Sequence, residues 1–162
     1  MNKPLGNAAV AELFDRHSRS LLLYARQWVG PASAEDVVQR VFVKLIGGGR
    51  LPAEPRTWLF RCVRNEAISL MRSERRRYRR EQAVAVDGES LFVARPQDKL
   101  DAASIQAAMA ALPGEQREVI VLRLWSGLTL AEIADVMNVG VSTVHARYSA
   151  AVESLRRILE EP

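Results

Sequence analysis

Cysteine and histidine are scarce in this chain. Its 162 residues include one cysteine and two histidines, His17 and His145, which stand far apart in the sequence. A single cysteine excludes a disulfide within the chain, and these three residues lack the spacing of a zinc site. Two distant histidines also offer little for general acid–base catalysis. The sequence therefore predicts no disulfide, no metal and no cofactor.

Patterns typical of enzymes and of sheets are missing as well. The chain has no Gly-rich phosphate-binding loop and no Ser/His/Asp arrangement, so nothing in it favours an enzyme. Aromatic residues make up only 6% of the chain, and β-branched residues do not alternate with polar ones, which argues against a sheet. Hydrophobic residues still make up 48%, which is enough for a core. We therefore predict an all-α protein.

Long apolar runs are absent too. No stretch approaches the run of about 18 apolar residues that indicates a membrane-spanning helix. The first ten residues, MNKPLGNAAV, lack the apolar core of a signal peptide. We expect no membrane span and a cytoplasmic protein.

Positive charge is concentrated in one segment. Residues 56–80 contain nine Arg and two Glu, a net charge of +7, whereas the rest of the chain has 14 basic and 17 acidic residues, a net charge of −3. Such a distribution indicates an anionic partner, either nucleic acid or a membrane surface. The segment lacks a long apolar stripe opposite its arginines, which disfavours the membrane alternative.

Glycine and proline divide the chain into two predicted helical domains. Residues 81–99 break the helical pattern and contain Gly88 and Pro96, so we interpret them as a flexible linker. A three-helix domain over residues 7–80 precedes the linker. A four-helix unit over residues 100–160 follows it.

The first domain has three predicted helices. They run from Asn7 to Val29, from Ser33 to the glycines at 47–49, and from Arg56 to Arg80. In the first, His17 falls on the apolar stripe and is interpreted as a core or boundary residue rather than a ligand. The third helix is predicted to bury Trp58, Leu59, Cys62, Val63, Ala67, Leu70 and Met71. Within that set the single cysteine is interpreted as a small buried hydrophobe.

The stretch Thr129–Ser149 is typical of two short helices joined by a tight turn. Thr129 and Glu132 have the spacing of a capping box, which begins a helix. Asn138 accepts the left-handed conformation that ends one, and Gly140 suits the cap of the next. This is the pattern of a helix-turn-helix, although an ordinary helical hairpin with a solvated outer face shows it too.

The second helix of that pair carries small side chains on the face away from its apolar stripe. Small residues with longer basic ones beside them suit a helix in a DNA major groove. The predicted stripe is Val141, Val144, Tyr148, Ala151, Val152, Leu155 and Leu159. The predicted groove-facing residues and their neighbours are Ser142, Thr143, His145, Ala146, Arg147 and Ser149.

Six arginines fall within nine residues at the end of the third helix, RSERRRYRR. They form either a solvated helix end or a surface that contacts phosphates. Like charges so close together repel unless something neutralises them, which favours phosphate contacts.

Three segments together resemble those of the extracytoplasmic-function (ECF) sigma factors. AEDVVQRVFVKL, residues 34–45, and PRTWLFRCVRNEAI, residues 55–68, resemble signature segments of the sigma-2 domain. Residues 111–156 resemble the sigma-4 domain nearly from end to end. Both signatures occur in the order and at the separation that the family shows.

The resemblance implies a promoter-specificity subunit without catalysis of its own. Its partners would be promoter DNA and core RNA polymerase, through the β′ clamp helices and the β flap, with an anti-sigma factor as an expected regulator. The implied polymerase-binding residues are Asp36, Gln39 and Arg40. The residues implied to contact the −10 element and phosphates are Trp58, Arg61, Asn65, Arg72, Arg75, Arg76, Arg77, Arg79 and Arg80.

Two further surfaces follow from the same resemblance. The loop at 47–55 would hold a flipped base of the non-template strand. Binding the base in a shaped pocket would offset the few kcal/mol lost on unstacking it. The helix that begins after Gly140 would read the −35 element as duplex. The competing interpretation is a stand-alone helix-turn-helix regulator that binds two half-sites as a dimer. A simple regulator has no need for the first domain, and this favours the sigma factor.

The chain also departs from the family pattern. Arg40 stands where an acidic residue is usual, and Ser69 replaces a frequent Asp. His145, Ala146 and Ala150 stand where Lys or Arg, Ser and Arg are common. Fewer basic side chains there predict weaker −35 contacts and a greater reliance on the −10 element and on polymerase.

Overall fold

The computed structural model describes residues 4–81 and 102–160. These residues fall into two compact units, one on each side of the gap. Within them all regular structure is helical, apart from one isolated bridge between Pro4 and Arg50. The helices are α1 Asn7–Ala25, α2 Pro31–Gly47, α3 Pro55–Glu81, α4 Ala102–Ala111, α5 Gly114–Ile120, α6 Leu130–Met137 and α7 Val141–Glu160. The predicted all-α class with two helical domains is confirmed.

The predicted linker was residues 81–99. Glu81 is the last residue of α3, so the helix continues one residue beyond its predicted end. The rest of the linker lies outside the described residues.

The first unit is a three-helix bundle in which each helix packs against the other two. At its centre the rings of Tyr24 and Phe60 lie 5.6 Å apart, and Trp28 meets Tyr24 edge-on at 5.0 Å. Such aromatic pairs stabilise a core beyond the area they bury. The other fully buried large side chains of this unit are Leu21, Val37, Leu59 and Val63.

Two helix boundaries differ from the prediction by more than one residue. The first helix ends at Ala25 rather than Val29, because Gln27 and Trp28 donate to carbonyls only three residues back and form a turn. The second helix begins at Pro31 rather than Ser33. Proline suits the first helical position, where its fixed φ fits and its missing N–H would have no partner.

The buried face of α3 is centred differently from the prediction. Phe60 is fully buried and Thr57 nearly so, although neither was predicted, whereas Trp58 and Cys62 lie at the edge and are only partly buried. The reason is that Phe60 packs on Tyr24 of α1, so the side of α3 that carries Phe60 is the side that is buried. Leu70 and Met71 were also predicted to be buried but are partly exposed.

The length of α3 explains the exposure of its second half. With 27 residues it outlasts α1 and α2, which have 19 and 17. Its last buried residue is Ala67, and every residue from Arg72 to Glu81 is exposed. The arginine-rich end therefore lies on the surface.

The described part of the second unit, residues 102–160, contains four α-helices, the number that was predicted. α4, α5 and α6 all pack against α7 around Met109, Ile120, Leu128, Ile133 and Val144. An unpredicted π-helical segment, Val121–Trp125, follows α5. Val141 and Leu159 were assigned to the buried stripe of α7, but each is about half exposed (49% and 50%) because they lie near the two ends of the helix.

One arginine joins α4 to α5. The guanidinium of Arg117 donates to the carbonyls of Met109, Ala110 and Leu112 at 2.8, 3.0 and 2.9 Å. These carbonyls lie at and just beyond the end of α4, where a helix leaves its last carbonyls without partners from a following turn; that of Met109 also accepts the Leu112 N–H at 3.3 Å. Arg117 therefore caps α4 and fixes its angle to α5.

Replacing Arg117 with alanine should lower the free energy of unfolding of the second unit by about 2 kcal/mol, as expected for hydrogen bonds from a charged donor. Urea titration of the full chain measures the change. Arg156→Ala is the control, because it removes an arginine from an exposed position on α7 of the same unit. Equal stability of the two variants would contradict the capping role.

Candidate nucleic-acid interface

The turn between α6 and α7 has the predicted geometry. The Thr129 N–H donates to Glu132 Oε2 at 2.8 Å, and the Glu132 N–H donates to Thr129 Oγ1 at 3.2 Å, so the capping box is complete. Asn138 ends α6 in the left-handed conformation at φ 54°. The amide of Val139 then donates to the carbonyl of Ala134 at 3.1 Å. These bonds fix the direction in which α7 leaves the turn.

The outer face of α7 brings most of the predicted −35 residues together. Its opposite face is anchored by Val144 and Ala151, which are fully buried. Five of the six predicted residues are exposed on the free side: Ser142, Thr143, His145, Ala146 and Ser149.

Arg147 is placed differently from the other five. Its side chain is only 22% exposed, and its Nη2 lies 2.9 Å from Oε2 of Glu115 on α5. The structure therefore directs this arginine toward α5 rather than toward the outer face of α7.

A basic groove follows the outer face of α3. It has a volume of about 400 Å³ and is lined by Arg64, Asn65, Ile68, Ser69, Arg72 and Arg76. Asn65, Arg72 and Arg76 were among the predicted residues. Arg64 was not assigned a role, although the spacing 64, 68, 72, 76 places those residues on one helical face and was visible in the sequence. The groove offers guanidinium and amide donors at intervals of one helical turn.

The other predicted residues of α3 lie at different positions around the helix. Trp58 is partly buried at the start of α3, and Arg61 is exposed one turn later. Arg75, Arg79 and Arg80 are exposed near its end. Arg77 is exposed too, but it pairs with Glu81 at 3.2 Å. At about 100° per residue it lies on the side opposite Arg79. The arginines of the RSERRRYRR segment therefore do not form a single face.

The loop between α2 and α3 is tied to the start of the chain. The Leu5 N–H donates to the carbonyl of Gly49 at 3.3 Å, beside the bridge between Pro4 and Arg50. Gly49 has φ +64°, which favours glycine because it has no Cβ. Sequence reasoning missed this contact, because it joins two segments without any periodic pattern.

The outer face of α2 gathers the predicted polymerase-binding residues. Asp36, Gln39 and Arg40 are all exposed there, and Arg40 Nη1 lies 3.4 Å from Glu66 Oε1 on α3. Val43 and Ile46 continue the same face with exposed fractions of 67% and 56%. Sequence reasoning missed these two, although their spacing from Asp36 and Gln39 is helical. We call these five residues the α2 surface.

The histidine and cysteine of the first unit have the environments expected of packing residues. Burial lowers the pKa of His17, and the charges of Arg16 and Arg56 lower it further. Burial also raises the pKa of the Cys62 thiol, which favours its protonated form. The described residues contain no group of three His, Cys, Asp or Glu side chains that could hold a metal ion. They also contain no helix long and apolar enough to cross a membrane.

Both units match models of known protein families. Residues 13–77 match Sigma-70 region 2, and residues 102–155 match Sigma-70, region 4. The class of protein that this architecture defines is therefore the sigma-70-type sigma factor of RNA polymerase.

Individual relatives give the family within that class. The chain is 33% identical to the ECF RNA polymerase sigma factor SigL of Mycobacterium tuberculosis, over 95% of this chain and 90% of SigL. It is 27% identical to the ECF RNA polymerase sigma factor SigW of Bacillus subtilis, over 94% and 90% of the two chains. The chain belongs to the ECF RNA polymerase sigma factors, which recognise promoters together with RNA polymerase.

Solved structures of similar fold include one of a sigma factor bound to its regulator. The TM-score is 0.76 with RpoE from Bartonella quintana, solved in complex with the anti-sigma factor NepR, at 24% identity over 93% of this chain and 96% of RpoE. At that identity the likeness supports the fold alone. The TM-score is 0.66 with CnrH, solved in complex with the cytosolic domain of CnrY, at 26% identity over 96% and 90% of the two chains.

Proposed function

We propose that the two units of this sigma factor divide promoter recognition between them. The first, predicted as residues 7–80, binds polymerase through the α2 surface and the −10 element through the outer face of α3. The second, predicted as residues 100–160, binds the −35 duplex through the outer face of α7 and the polymerase β flap. The partner of the α2 surface is the pair of β′ clamp helices.

One observation carries this division of labour. The first unit exposes two chemically different surfaces on neighbouring helices, a basic groove on α3 and the α2 surface with its apolar Val43 and Ile46. The groove suits phosphates and unpaired bases, because it combines guanidinium and amide donors. Exposed apolar side chains among polar ones suit a protein partner instead. A stand-alone helix-turn-helix regulator would need neither surface.

The experiment that tests the proposal measures dependence on polymerase. Purified chain is added to core RNA polymerase and assayed for transcription from a promoter library, with polymerase alone as the control. The proposal requires binding to core enzyme and transcription from a subset of promoters. A chain that ignored polymerase and bound a symmetric operator as a homodimer would overturn it.

Three further assignments follow from this role. The protein itself catalyses no reaction, because phosphodiester bond formation belongs to the polymerase. It works in the cytoplasm, where the bacterial chromosome lies. Its regulator is an anti-sigma factor, the kind of regulator that ECF sigma factors commonly have. An anti-sigma factor that covered the α2 surface would compete directly with polymerase.

Replacing His145 with arginine should tighten binding to a −35 duplex by about fivefold, the effect of one added contact of about 1 kcal/mol. His145 is exposed on the outer face of α7, where the family commonly has Lys or Arg. Fluorescence anisotropy on a labelled duplex measures the change, with His145→Gln as the uncharged control. Equal affinity of the two variants would contradict a role for residue 145 in −35 binding.

A further inference from the structure

The contact between Glu115 and Arg147 joins α5 to the helix proposed to read the −35 element. Its N–O distance is 2.9 Å, the side chain of Arg147 is 22% exposed and that of Glu115 is 69% exposed. Glu115 lies in the first turn of α5, and Arg147 lies two turns into α7. The contact thus ends beside the residues that face DNA in the proposed complex.

The position of Arg147 around α7 decides what it can reach. At about 100° per residue it lies roughly 130° from the middle of the face formed by Ser142, Ala146 and Ser149. It is closer in angle to the buried Val144 and Ala151. An arginine there lies along the packing boundary between α5 and α7, which have many residues in contact.

We propose that Glu115 and Arg147 are positioning residues for −35 recognition. The Glu115 carboxylate holds the Arg147 guanidinium across the α5–α7 boundary and so fixes the rotation of α7 about its own axis. Arg147 does not contact phosphate. This inference rests on the proposed −35 role of α7, and it revises the sequence-based prediction that Arg147 binds DNA.

The pair acts through geometry rather than through its own ion-pair energy. An ion pair with one well-exposed partner contributes little to stability, because water screens it. Hydrogen bonds to base edges, however, depend on side-chain placement to within about 0.5 Å. A rotation of α7 too small to unfold the unit would therefore still weaken several contacts to DNA.

A phosphate contact and a positioning contact predict opposite effects for Glu115. If Arg147 neutralised a phosphate, the Glu115 carboxylate would compete with DNA, and Glu115→Gln would tighten binding. If the pair positions α7, Glu115→Gln weakens binding. Salt dependence gives a second distinction, because each lost phosphate contact reduces the slope of log K against log salt by about 0.9.

The test measures −35 duplex binding by the full chain over a range of salt concentrations. We expect Arg147→Ala and Glu115→Gln each to weaken binding by about fivefold. The double variant should bind the duplex with an affinity no lower than that of the single variant that binds less tightly. The salt slope should stay unchanged in all three. The charge-swapped chain, with Glu115→Arg and Arg147→Glu, should regain most of the affinity, because it restores the pair.

Opposite results would overturn the proposal. A slope reduced by about 0.9 in Arg147→Ala, together with tighter binding by Glu115→Gln, would make Arg147 a phosphate contact. Failure of the charge swap to recover affinity would also contradict positioning. Ser154→Ala, a partly buried neutral position later on α7, is the control for nonspecific effects of substitution.

A measurement without DNA separates this inference from the proposed function. The chemical shifts of the backbone amides of residues 142–149 in the free protein should change in Glu115→Gln. They should return to their wild-type values in the charge-swapped chain. If they do so while the wild-type chain binds no −35 duplex, the pair positions α7 but the proposed function is wrong. If they do not shift, the positioning role is wrong, whatever the affinity for DNA.

Discussion

Replacing Arg75, Arg76, Arg77, Arg79 and Arg80 with alanine is expected to weaken promoter binding strongly and to flatten its dependence on salt. Each phosphate contact that is lost should lower the slope of log K against log salt by roughly 0.9 on duplex DNA and roughly 0.7 on a single strand. The reason is that phosphates neutralised by arginine release counterions, and alanine cannot replace that effect. Titrations of promoter DNA from low to high salt measure it.

The structure refines the expected size of this effect. Arg76 lines the basic groove, whereas Arg77 is paired with Glu81 and lies on the other side of the helix from Arg79. We therefore expect the slope to fall by less than the loss of five phosphate contacts would produce. When one arginine at a time is restored to the variant with all five substitutions, Arg77 should recover the least of the slope.

A matched pair of variants controls for the change in net charge. The double variant Arg79→Ala, Arg80→Ala loses two positive charges from the end of α3. The double variant Arg16→Ala, Arg19→Ala loses two from exposed positions on α1 of the same unit. Only the first should change the slope. If the slope were unchanged even in the variant with all five arginines replaced, these arginines would lie outside the interface with DNA.

Local patterns in the sequence predicted the helix-turn-helix well. Thr129, Glu132 and Asn138 each perform a role that depends on their own chain neighbours, and each has its predicted conformation or bond. Such roles depend on side-chain chemistry over a few residues, which a sequence displays directly.

Features that depend on distant parts of the chain could not be predicted in the same way. Phe60 packs against Tyr24 of another helix, and Arg147 pairs with Glu115 of another helix. Periodicity left Phe60 out of the predicted buried face and placed Arg147 at the side of the groove-facing surface of its helix, and it indicated neither of these partners. A helical pattern gives the angle of a residue around its own helix, but not which neighbour occupies that side.

Exposure on α2 was predictable in part. The polar residues Asp36, Gln39 and Arg40 were expected on the outer face, because the apolar stripe occupied the other one. Val43 and Ile46 lie on that outer face too, yet a hydrophobic residue is assigned to a core by default. Neighbouring apolar residues that are exposed indicate a binding partner, and their exposure is visible in the structure but not in the sequence.

Replacing both Asp36 and Gln39 with alanine is expected to reduce the affinity for core RNA polymerase by about 30-fold or more, the effect of losing about 2 kcal/mol at the centre of an interface. Binding of the full chain to a −35 duplex should stay intact, because that contact belongs to the other unit. Both affinities are measured on the same preparation. Asp15→Ala, which removes an exposed acid from α1, is the control.

Val43 separates a charge effect from a packing effect on the same surface. Its side chain is 67% exposed in the free chain, so Val43→Asp should not unfold the first unit, but it should weaken polymerase binding by placing an unpaired charge in the interface. Loss of −35 binding as well in any of these variants would indicate misfolding. Unchanged polymerase affinity in all of them would place the contact elsewhere on the chain. Because α2 and α3 expose different chemistry, loss of polymerase binding with single-stranded −10 binding retained would show that one small bundle serves two partners at once.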